Sequence, residues 1–475
     1  MLSRSLILVW VLIALSGSVA TSCAARGNED RGNDANDGSI NPPGKVELER
    51  AAPDSVPTAT TATEAPGETS SRPNILLITI DTLRADHLGS YGNTTVKTPN
   101  LDALAQQGTR FALAISSFSQ TNPAHASIFT STYAATHGIK IHAVDKLRSN
   151  VFTLAEVLAG NGYTTAGIFS WPTFEPQYSG LERGFMTSEG VYVSTPGETD
   201  PWRAVDGRAN LTTDAALRWL LNRPSGPFFL WIHYQDPHYP YTPPPPFDTM
   251  YDPDCPGCPD GGYQTIDRIG AGEQLSEAEV KHLLALYDGE VSFTDREIGR
   301  FLDGMKQANL LDNTLVIATS DHGESFNDNG RWSHPWILYN SVVRVPLIVR
   351  YPAMMPAGLV IRQTVRTIDI MPTILQTLGV PDPPQTEGQS LWPLVSAPNS
   401  TDDRMAFVQV PDDSSIAIVA DGWKLIKYNL TGQLELYNLV TDPGELTNLA
   451  SSEPKQASSL EQKLNSWMAR NGIGP

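Results

Sequence analysis

The chain has 475 residues, 40% hydrophobic content and a formal net charge of −19. The apolar content is sufficient for one large domain with an appendage or for two moderate domains, which excludes a wholly disordered chain. The acidity argues against nucleic acid as a partner, because phosphate backbones are bound by basic surfaces, and an anionic substrate would need a local cation such as a metal ion.

The N-terminal segment predicts export. Residues 1–22 place Arg4 before an apolar run over residues 6–15 and then small residues, which is typical of a secretory signal peptide and too short to span a bilayer comfortably. The residues before Cys23 resemble a bacterial lipobox, in which the cysteine is lipidated; a cleavable signal with an incidental cysteine is the alternative. We therefore expect the protein on the periplasmic or extracellular side of a bacterial membrane, attached to it only through a lipid on Cys23.

A tether follows the predicted anchor. Residues 24–71 are rich in Gly, Asn, Asp, Pro, Thr, Ala and Glu and contain no aromatic residue. Such a segment cannot bury enough apolar surface to offset its ordering entropy. We assign residues 23–71 to the anchor cysteine and a disordered linker that holds a catalytic domain away from a membrane.

The sequence pattern of residues 72–400 predicts one α/β domain. Continuous apolar runs predict buried parallel strands within residues 75–80, 162–169, 227–234, 313–323 and 345–352. Amphipathic helices lie between them, and the longest begins at Ser276 with Glu279 completing a capping box. Strands that alternate with helices predict a doubly wound α/β sandwich.

The pattern of apolar and polar residues changes after residue 400. Residues 401–475 contain short alternating strands separated by turns and a final helix from about Pro454. They predict a small α+β subdomain packed on the main domain.

Cys255 and Cys258 lie in the Pro/Gly-rich stretch "DPDCPGCPDGG". Export favours a disulfide between them, and a two-cysteine metal site would lack partners nearby in the sequence. We predict a disulfide that closes this loop.

Polar residues follow several of the predicted strands. In an open α/β sheet ligands bind at the carboxyl ends of the strands, so these residues are candidates for a functional site. They are Asp81, His233, Asp236, His238, Asp321 and His322. Two carboxylates and a histidine from two strands predict a divalent metal site, although any one of them taken singly is more typical of a cap or a structural histidine.

Thr121 stands at the start of a predicted helix. Pro123 suits the first helical turn, so Thr121 lies where unpaired N–H groups and the helix dipole stabilise a developing anion. One interpretation is a capping threonine. The other is a nucleophile, since a threonine that also ligated the metal would reach its alkoxide form near neutral pH.

Several stretches together resemble one family. They are "RPNILLITIDTLRADHLGSYG", "TNPAHASIFTSTYAATHG", "FTLAEVLAGNGYTTAGIF", "FFLWIHYQDPHYPY", "SDHGESF" and "LELYNLVTDPGELTNLA". In order and spacing they are similar to the sulfatase family of the alkaline phosphatase superfamily, over nearly all of residues 72–449. The resemblance implies an alkaline-phosphatase-like α/β/α sandwich with a largely parallel central sheet, a small C-terminal α+β subdomain, and ester hydrolysis.

The nucleophile position departs from the family pattern. Sulfatases carry a C-x-P-S-R motif whose first residue is Cys or Ser and becomes formylglycine; here the register falls on residues 121–125, with the proline kept and the oxidisable residue and the arginine absent. Thr121 cannot give the aldehyde, so no formylglycine is expected. Release of a threonine adduct would require water to attack the transferred group, as in phosphoryl-transferring relatives.

The resemblance implies a metal set. It consists of Asp81, Thr121, Asp321 and His322, with Thr82 where many sulfatases have a second acidic ligand. An imidazole in place of an amide or carboxylate oxygen favours manganese or zinc, with calcium still possible.

Three further histidines match catalytic positions of the family. His238 and His334 correspond to residues that contact the ester or protonate the leaving oxygen, or else are structural. His125 either replaces the lost arginine or lies on a helix face. A second metal would require Asp236, His238 and His334 to converge.

The leading hypothesis is an exported, metal-dependent hydrolase of small-molecule or glycan sulfate, phosphate or phosphonate esters. Phosphoryl esters are preferred on chemical grounds, because Thr121 cannot form the aldehyde. In addition, Ser170 and Pro172 stand where the family resemblance implies a sulfate-binding lysine and histidine. One alternative is a transferase of phosphoethanolamine or phosphoglycerol onto envelope polymers, although such relatives usually carry several membrane helices. Another is a catalytically silent protein that binds an anionic glycan.

Overall fold

The computed structural model describes residues 72–194, 203, 205–401 and 404–474. The predicted signal peptide, Cys23 and the linker 23–71 lie outside the described residues. Within these ranges, every helix is too short or too polar to cross a bilayer.

Sixteen strands are found in the described ranges. They are β1 Asn74–Ile80, β2 Thr109–Ile115, β3 Thr164–Phe169, β4 Thr187–Gly190, β5 Val193–Ser194, β6 Val205–Asp206, β7 Phe228–Tyr234, β8 Thr314–Ser320, β9 Ser325–Phe326, β10 Trp332–Ser333, β11 Arg344–Arg350, β12 Leu359–Arg366, β13 Ala406–Gln409, β14 Ser415–Ala420, β15 Trp423–Tyr428 and β16 Gln433–Asn438.

The described α-helices are numbered separately. They are α1 Pro99–Gln107, α2 Thr121–Thr130, α3 Ala134–His137, α4 Leu154–Gly160, α5 Ala209–Asn222, α6 Tyr263–Gly270, α7 Glu277–Gln307, α8 Asn340–Val343, α9 Ile370–Leu378, α10 Trp392–Ser396 and α11 Pro454–Arg470.

The central sheet has eight strands in the order β12-β2-β11-β8-β1-β7-β3-β4. The pairs of β1 with β7 and β8, of β3 with β7 and β4, and of β12 with β2 are parallel. The largely parallel sheet predicted from the sequence is therefore confirmed.

β11 corrects one expectation. The apolar run over residues 345–352 was expected to be another parallel strand, but β11 is antiparallel to both β8 and β2. The chain between β8 and β11 contains no helix that returns it to the opposite end of the sheet. It therefore re-enters the sheet at the carboxyl end of β8, where it left. Such a connection joins antiparallel strands.

Both faces of the central sheet are covered. In β1, Ile75 and Leu77 belong to one core cluster together with residues of α2, α4 and α9. Leu76, Ile78 and Ile80 belong to a second cluster with residues of α1, α5 and α7. Because alternate side chains of a strand face opposite sides, this burial explains the unbroken apolar run and gives an α/β/α sandwich.

The C-terminal region forms the predicted small subdomain. Strands β13 to β16 make an antiparallel meander, and α11 contacts β14 and β15 through Leu460, Leu464 and Trp467. The exact boundary at residue 400 stays a prediction.

The loop after β7 contains the predicted disulfide between Cys255 and Cys258. Near Cys255 and Cys258 the sequence shows no further residue predicted to bind a metal with these sulfurs. The fold nevertheless brings a ring nitrogen of His282, on α7, within 4.8 Å of both, because the first turns of α7 pack beside this loop.

Candidate active site

The site lies at the carboxyl ends of the three central strands. Ile80 at the end of β1 pairs with Tyr234 of β7 on one side and with Ser320 of β8 on the other. Asp81 and Asp321, which follow Ile80 and Ser320, therefore emerge side by side. This is the edge at which parallel sheets of this kind bind ligands.

Thr121 is the first residue of α2, and Gln120 before it is extended, with φ −146° and ψ 146°. Pro123 occupies the first turn, as the sequence predicts, because its fixed φ suits a helix start and its missing N–H costs no helical bond there. The Thr121 hydroxyl Oγ1 lies 3.5 Å from His322 Nε2. The hydroxyl thus faces the side chains that follow β8.

Asp81, Asp321 and His322 offer three ligand atoms that lie within 4.8 Å of one another. His322 Nε2 is 3.5 Å from Asp321 Oδ2 and 3.8 Å from Asp81 Oδ1. Both of these carboxylate oxygens are buried and have no hydrogen-bond partner among the described residues. Two buried carboxylates side by side are costly without a counter-charge, so these residues fit a divalent cation.

The electrostatics of the ion-free protein agree with this fit. Burial, and then the charge of Asp81, raise the pKa of Asp321 to about 7. Burial also raises the pKa of Asp81, against the effects of His238 and His322, and it lowers the pKa of His322 to about 4. The cluster therefore lacks positive charge of its own, because its imidazoles are held neutral.

His238 and His334 lie together beside this cluster. Their ring centroids are 5.2 Å apart, and the His334 ring stacks on that of His322 at 4.4 Å. A second metal ion at these histidines would require Asp236 to converge with them. Asp236 instead accepts a hydrogen bond from Ala209 N through Oδ2, and the three residues do not converge within ligand distance in the described chain.

Glu324 is a site residue that sequence reasoning missed. Its side chain is fully buried, with Oε1 3.2 Å from His334 Nδ1 and Oε2 accepting from the Tyr241 hydroxyl at 3.1 Å. Burial raises its pKa to about 7. The signal was available in "SDHGESF", where a third carboxylate stands two residues after His322.

His125 lies beneath the nucleophile position. Its Nδ1 is 2.8 Å from the carbonyl oxygen of Thr121, and its Nε2 is 3.0 Å from Thr79 Oγ1. Its Nδ1 is also 3.6 Å from Asp321 Oδ2. The ring is fully buried, so it faces the cluster from the protein side rather than from the substrate side.

Ser170 has a structural role. Its hydroxyl donates to the carbonyl oxygen of His233 at 2.9 Å and accepts from Gln235 N at 2.7 Å. It thereby ties the end of β3 to the end of β7.

Comparison with known proteins agrees with the fold. The family profile described as Sulfatase matches residues 73–380, and one described as N-sulphoglucosamine sulphohydrolase, C-terminal, matches residues 329–471. The first of these covers well over half of the chain.

Two curated relatives are each 28% identical to the chain. An arylsulfatase of Clostridium perfringens aligns over 80% of this chain and 91% of its own length. The multifunctional alkaline phosphatase superfamily protein PehA of Trinickia caryophylli aligns over 84% and 95%.

Solved structures share the architecture. BT4656, in complex with its substrate D-glucosamine-2-N,6-O-disulfate, has a TM-score of 0.71 and 22% identity and covers 85% of this chain and 98% of its own. The phosphonate monoester hydrolase of Agrobacterium radiobacter has a TM-score of 0.68 and 24% identity, covering 84% and 96%. The chain therefore belongs to the sulfatase family and is an ester hydrolase with an alkaline-phosphatase-like fold.

Proposed function

We propose that this protein is an exported, metal-dependent hydrolase that uses Thr121 as its nucleophile on sulfate, phosphate or phosphonate esters, with phosphoryl esters preferred. The carrying observation is that Thr121 Oγ1 lies 3.5 Å from His322 Nε2, beside two buried carboxylate oxygens that have no hydrogen-bond partner among the described residues.

Asp81, Asp321 and His322 would hold the metal ion, with Thr121 Oγ1 as the fourth ligand. The imidazole in this set favours manganese or zinc, and calcium is the less suitable ion. When bound, the ion would lower the pKa of the Thr121 hydroxyl and offset the charge of the ester group.

The protein's own residues supply the rest of the chemistry. The N-terminal N–H groups of α2 favour negative charge at Thr121. His238 and His334 would contact the ester and protonate the leaving oxygen, and Glu324 would orient the His334 ring through its 3.2 Å contact with Nδ1. In the ion-free protein His125 fixes the first turn of α2 through the Thr121 carbonyl.

The preference for phosphorus follows from Thr121 itself. A threonine cannot form the aldehyde hydrate of formylglycine, so the transferred group must be released by water attacking it. One solved structure with the same fold supports this preference through its name, phosphonate monoester hydrolase. Small-molecule and glycan esters are both within the proposal.

The test is a substrate panel assayed with manganese, zinc and calcium. It compares nitrophenyl sulfate, a nitrophenyl phosphate monoester, a phosphodiester and a phosphonate, using the wild type, Thr121→Ala and Thr121→Ser. We expect a phosphodiester or phosphonate to be turned over fastest, and Thr121→Ala to lose at least about a hundredfold in kcat/KM. Thr121→Ser keeps a hydroxyl and should retain more of the activity.

Two results would contradict the proposal. Fastest turnover of the sulfate ester would remove the preference for phosphorus. Undiminished activity of Thr121→Ala would remove the nucleophile. Absence of both turnover and bound metal would favour the silent glycan-binding alternative, and transfer of phosphoethanolamine or phosphoglycerol to an acceptor would favour the transferase.

The proposed location is tested separately. Export with a lipid on Cys23 predicts incorporation of radiolabelled palmitate into the wild type in bacterial cells and none into Cys23→Ser. Equal labelling of both proteins would show that Cys23 is not the anchor.

A further inference from the structure

We propose that the site binds a second divalent cation, held by His125, His233 and Asp321 on the protein side of the cluster. We call this set the inner position, and the set Asp81, Asp321 and His322 the outer position. The inner position extends the proposed function. It rests on that proposal only because Asp321 belongs to both sets.

The inner position has the composition and spacing of a metal site. The three residues offer ligand atoms that all lie within 4.8 Å of one another, and all three side chains are fully buried. Two imidazoles and a carboxylate are a common ligand set for zinc. The ligand atoms of a tetrahedral zinc ion lie about 3.3–3.6 Å apart, and His125 Nδ1 is already 3.6 Å from Asp321 Oδ2.

His233 provides the independent observation. It is near the end of β7 with no exposed surface, and neither of its ring nitrogens has a hydrogen-bond partner among the described residues. Its Nε2 lies 3.5 Å from Asp81 Oδ2, so the unpaired nitrogen points toward the cluster. Buried polar groups are almost always paired, and an imidazole with two unpaired nitrogens indicates a ligand at the site.

Packing holds the His233 ring in this direction. The ring makes edge contacts with Phe174 at 4.8 Å and with His125 at 5.1 Å between centroids. A rotation away from the cluster would have to displace these rings from a close-packed interior.

Asp321 is suited to serve both positions. Its Oδ1 accepts from His322 N at 2.8 Å and from Thr82 N at 3.4 Å, which fixes the carboxylate plane. Its Oδ2 has no hydrogen-bond partner in the described part of the chain and lies 3.6 Å from His125 Nδ1 and 3.5 Å from His322 Nε2. The free oxygen therefore faces one histidine of each set.

His125 can join the inner position without net transfer of a proton to solvent. In the ion-free protein Nδ1 donates to the Thr121 carbonyl oxygen at 2.8 Å. Ligation through Nδ1 takes this nitrogen away from the Thr121 carbonyl oxygen and leaves the proton on Nε2, which donates to Thr79 Oγ1, 3.0 Å away in the ion-free protein. The Thr79 oxygen has two lone pairs, so it accepts from His125 as well as from Trp231 Nε1.

The charge of the site calls for such a cation. Asp81, Asp321 and Glu324 are all buried, and no lysine or arginine makes an ion pair with any of them among the described residues. A cation at the inner position would supply positive charge directly behind the Thr121 nucleophile.

The test is the metal content of the full chain after equilibration with zinc and removal of unbound ion. We compare the wild type with His233→Phe, which keeps a ring of similar size but has no ligand atom, and with His322→Ala in the outer position. We expect two equivalents of zinc in the wild type and one in each variant. With manganese, electron paramagnetic resonance should show a coupled pair of ions in the wild type and an isolated ion in His233→Phe.

The outcomes separate the two positions. If the wild type binds one equivalent of zinc, and His233→Phe keeps this ion but His322→Ala loses it, the inner position is overturned and the outer one stands. One equivalent lost by His233→Phe but kept by His322→Ala supports the inner position and overturns the outer one. Absence of bound metal from the wild type overturns both. If His233→Phe does not fold, the wild-type manganese spectrum decides, and an isolated ion overturns the proposal.

Discussion

The Thr79 hydroxyl group makes hydrogen bonds to two buried rings. Its Oγ1 lies between two fully buried rings, 2.9 Å from Trp231 Nε1 and 3.0 Å from His125 Nε2. Replacement by valine keeps the shape of the side chain and removes both hydrogen bonds. Since an unsatisfied buried polar group costs about 1–3 kcal/mol, we expect Thr79→Val to lower the free energy of unfolding by about 2 kcal/mol or more.

Urea unfolding followed by circular dichroism measures this change. Thr79→Ser is the matched control, because it keeps the hydroxyl and should cost less than the valine variant. Equal stability of Thr79→Val and the wild type would mean that the two rings find other partners.

The sequence predicted individual site residues to very different extents. Asp81 and Asp321 were identifiable because each ends an unbroken apolar run, and Thr121 because Pro123 marks a helix start. His233 was noted only as a strand-end residue, since nothing in one sequence shows that both of its nitrogens lack partners. The contact of Glu324 with His334 depends on the path of a loop that has no local pattern.

At the scale of elements, a buried ion pair within the C-terminal region contacts the main domain through Asn340. Lys424 Nζ of β15 lies 2.8 Å from Glu445 Oε1 and 3.1 Å from Asn340 Oδ1 of α8, and both charged side chains are almost fully buried. Burial lowers the pKa of Lys424 and raises that of Glu445, each against the charge of its partner.

We expect Lys424→Met to lower the free energy of unfolding by about 3–5 kcal/mol, because it leaves the Glu445 carboxylate buried without a counter-charge. The double variant Lys424→Met/Glu445→Gln should recover much of this loss, since glutamine is neutral and still accepts from Asn340 N. Thermal unfolding of the two variants beside the wild type provides the comparison. A double variant no more stable than Lys424→Met would point to lost packing rather than lost charge pairing.

Elements with strong local signals were predicted well. The capping box of Ser276 and Glu279 is present at the start of α7, and β1, β7 and β8 match their apolar runs closely. β12 was missed because polar and apolar side chains are mixed along it, and β2 was missed because its apolar run, residues 111–115, is short and only partly buried. The direction of β11 depends on the connection before it, which no periodicity records.

At the scale of the whole molecule, the metal cluster should affect stability as well as activity. Asp81 and Asp321 lie at the ends of β1 and β8 in the middle of the sheet, and a cation that binds only the folded state stabilises it by mass action. At free metal about a hundredfold above Kd this amounts to about 2.7 kcal/mol. We therefore expect a chelator to lower Tm by about 3 °C or more.

Differential scanning calorimetry with and without EDTA measures the effect, and zinc or manganese added in excess of the chelator should restore the original Tm. His322→Ala is the control and should respond less to the chelator. An unchanged Tm after verified metal removal would mean that the ion contributes little to folding.

The antiparallel course of β11 has a wider consequence. Because β8 and β11 are neighbours that run in opposite directions, residues 321–343 leave the sheet and return to it at the same edge. This single excursion carries Asp321, His322, Glu324 and His334. Because both ends of this segment lie at the same edge of the sheet, a change in the length of its other parts would leave the strand order unchanged.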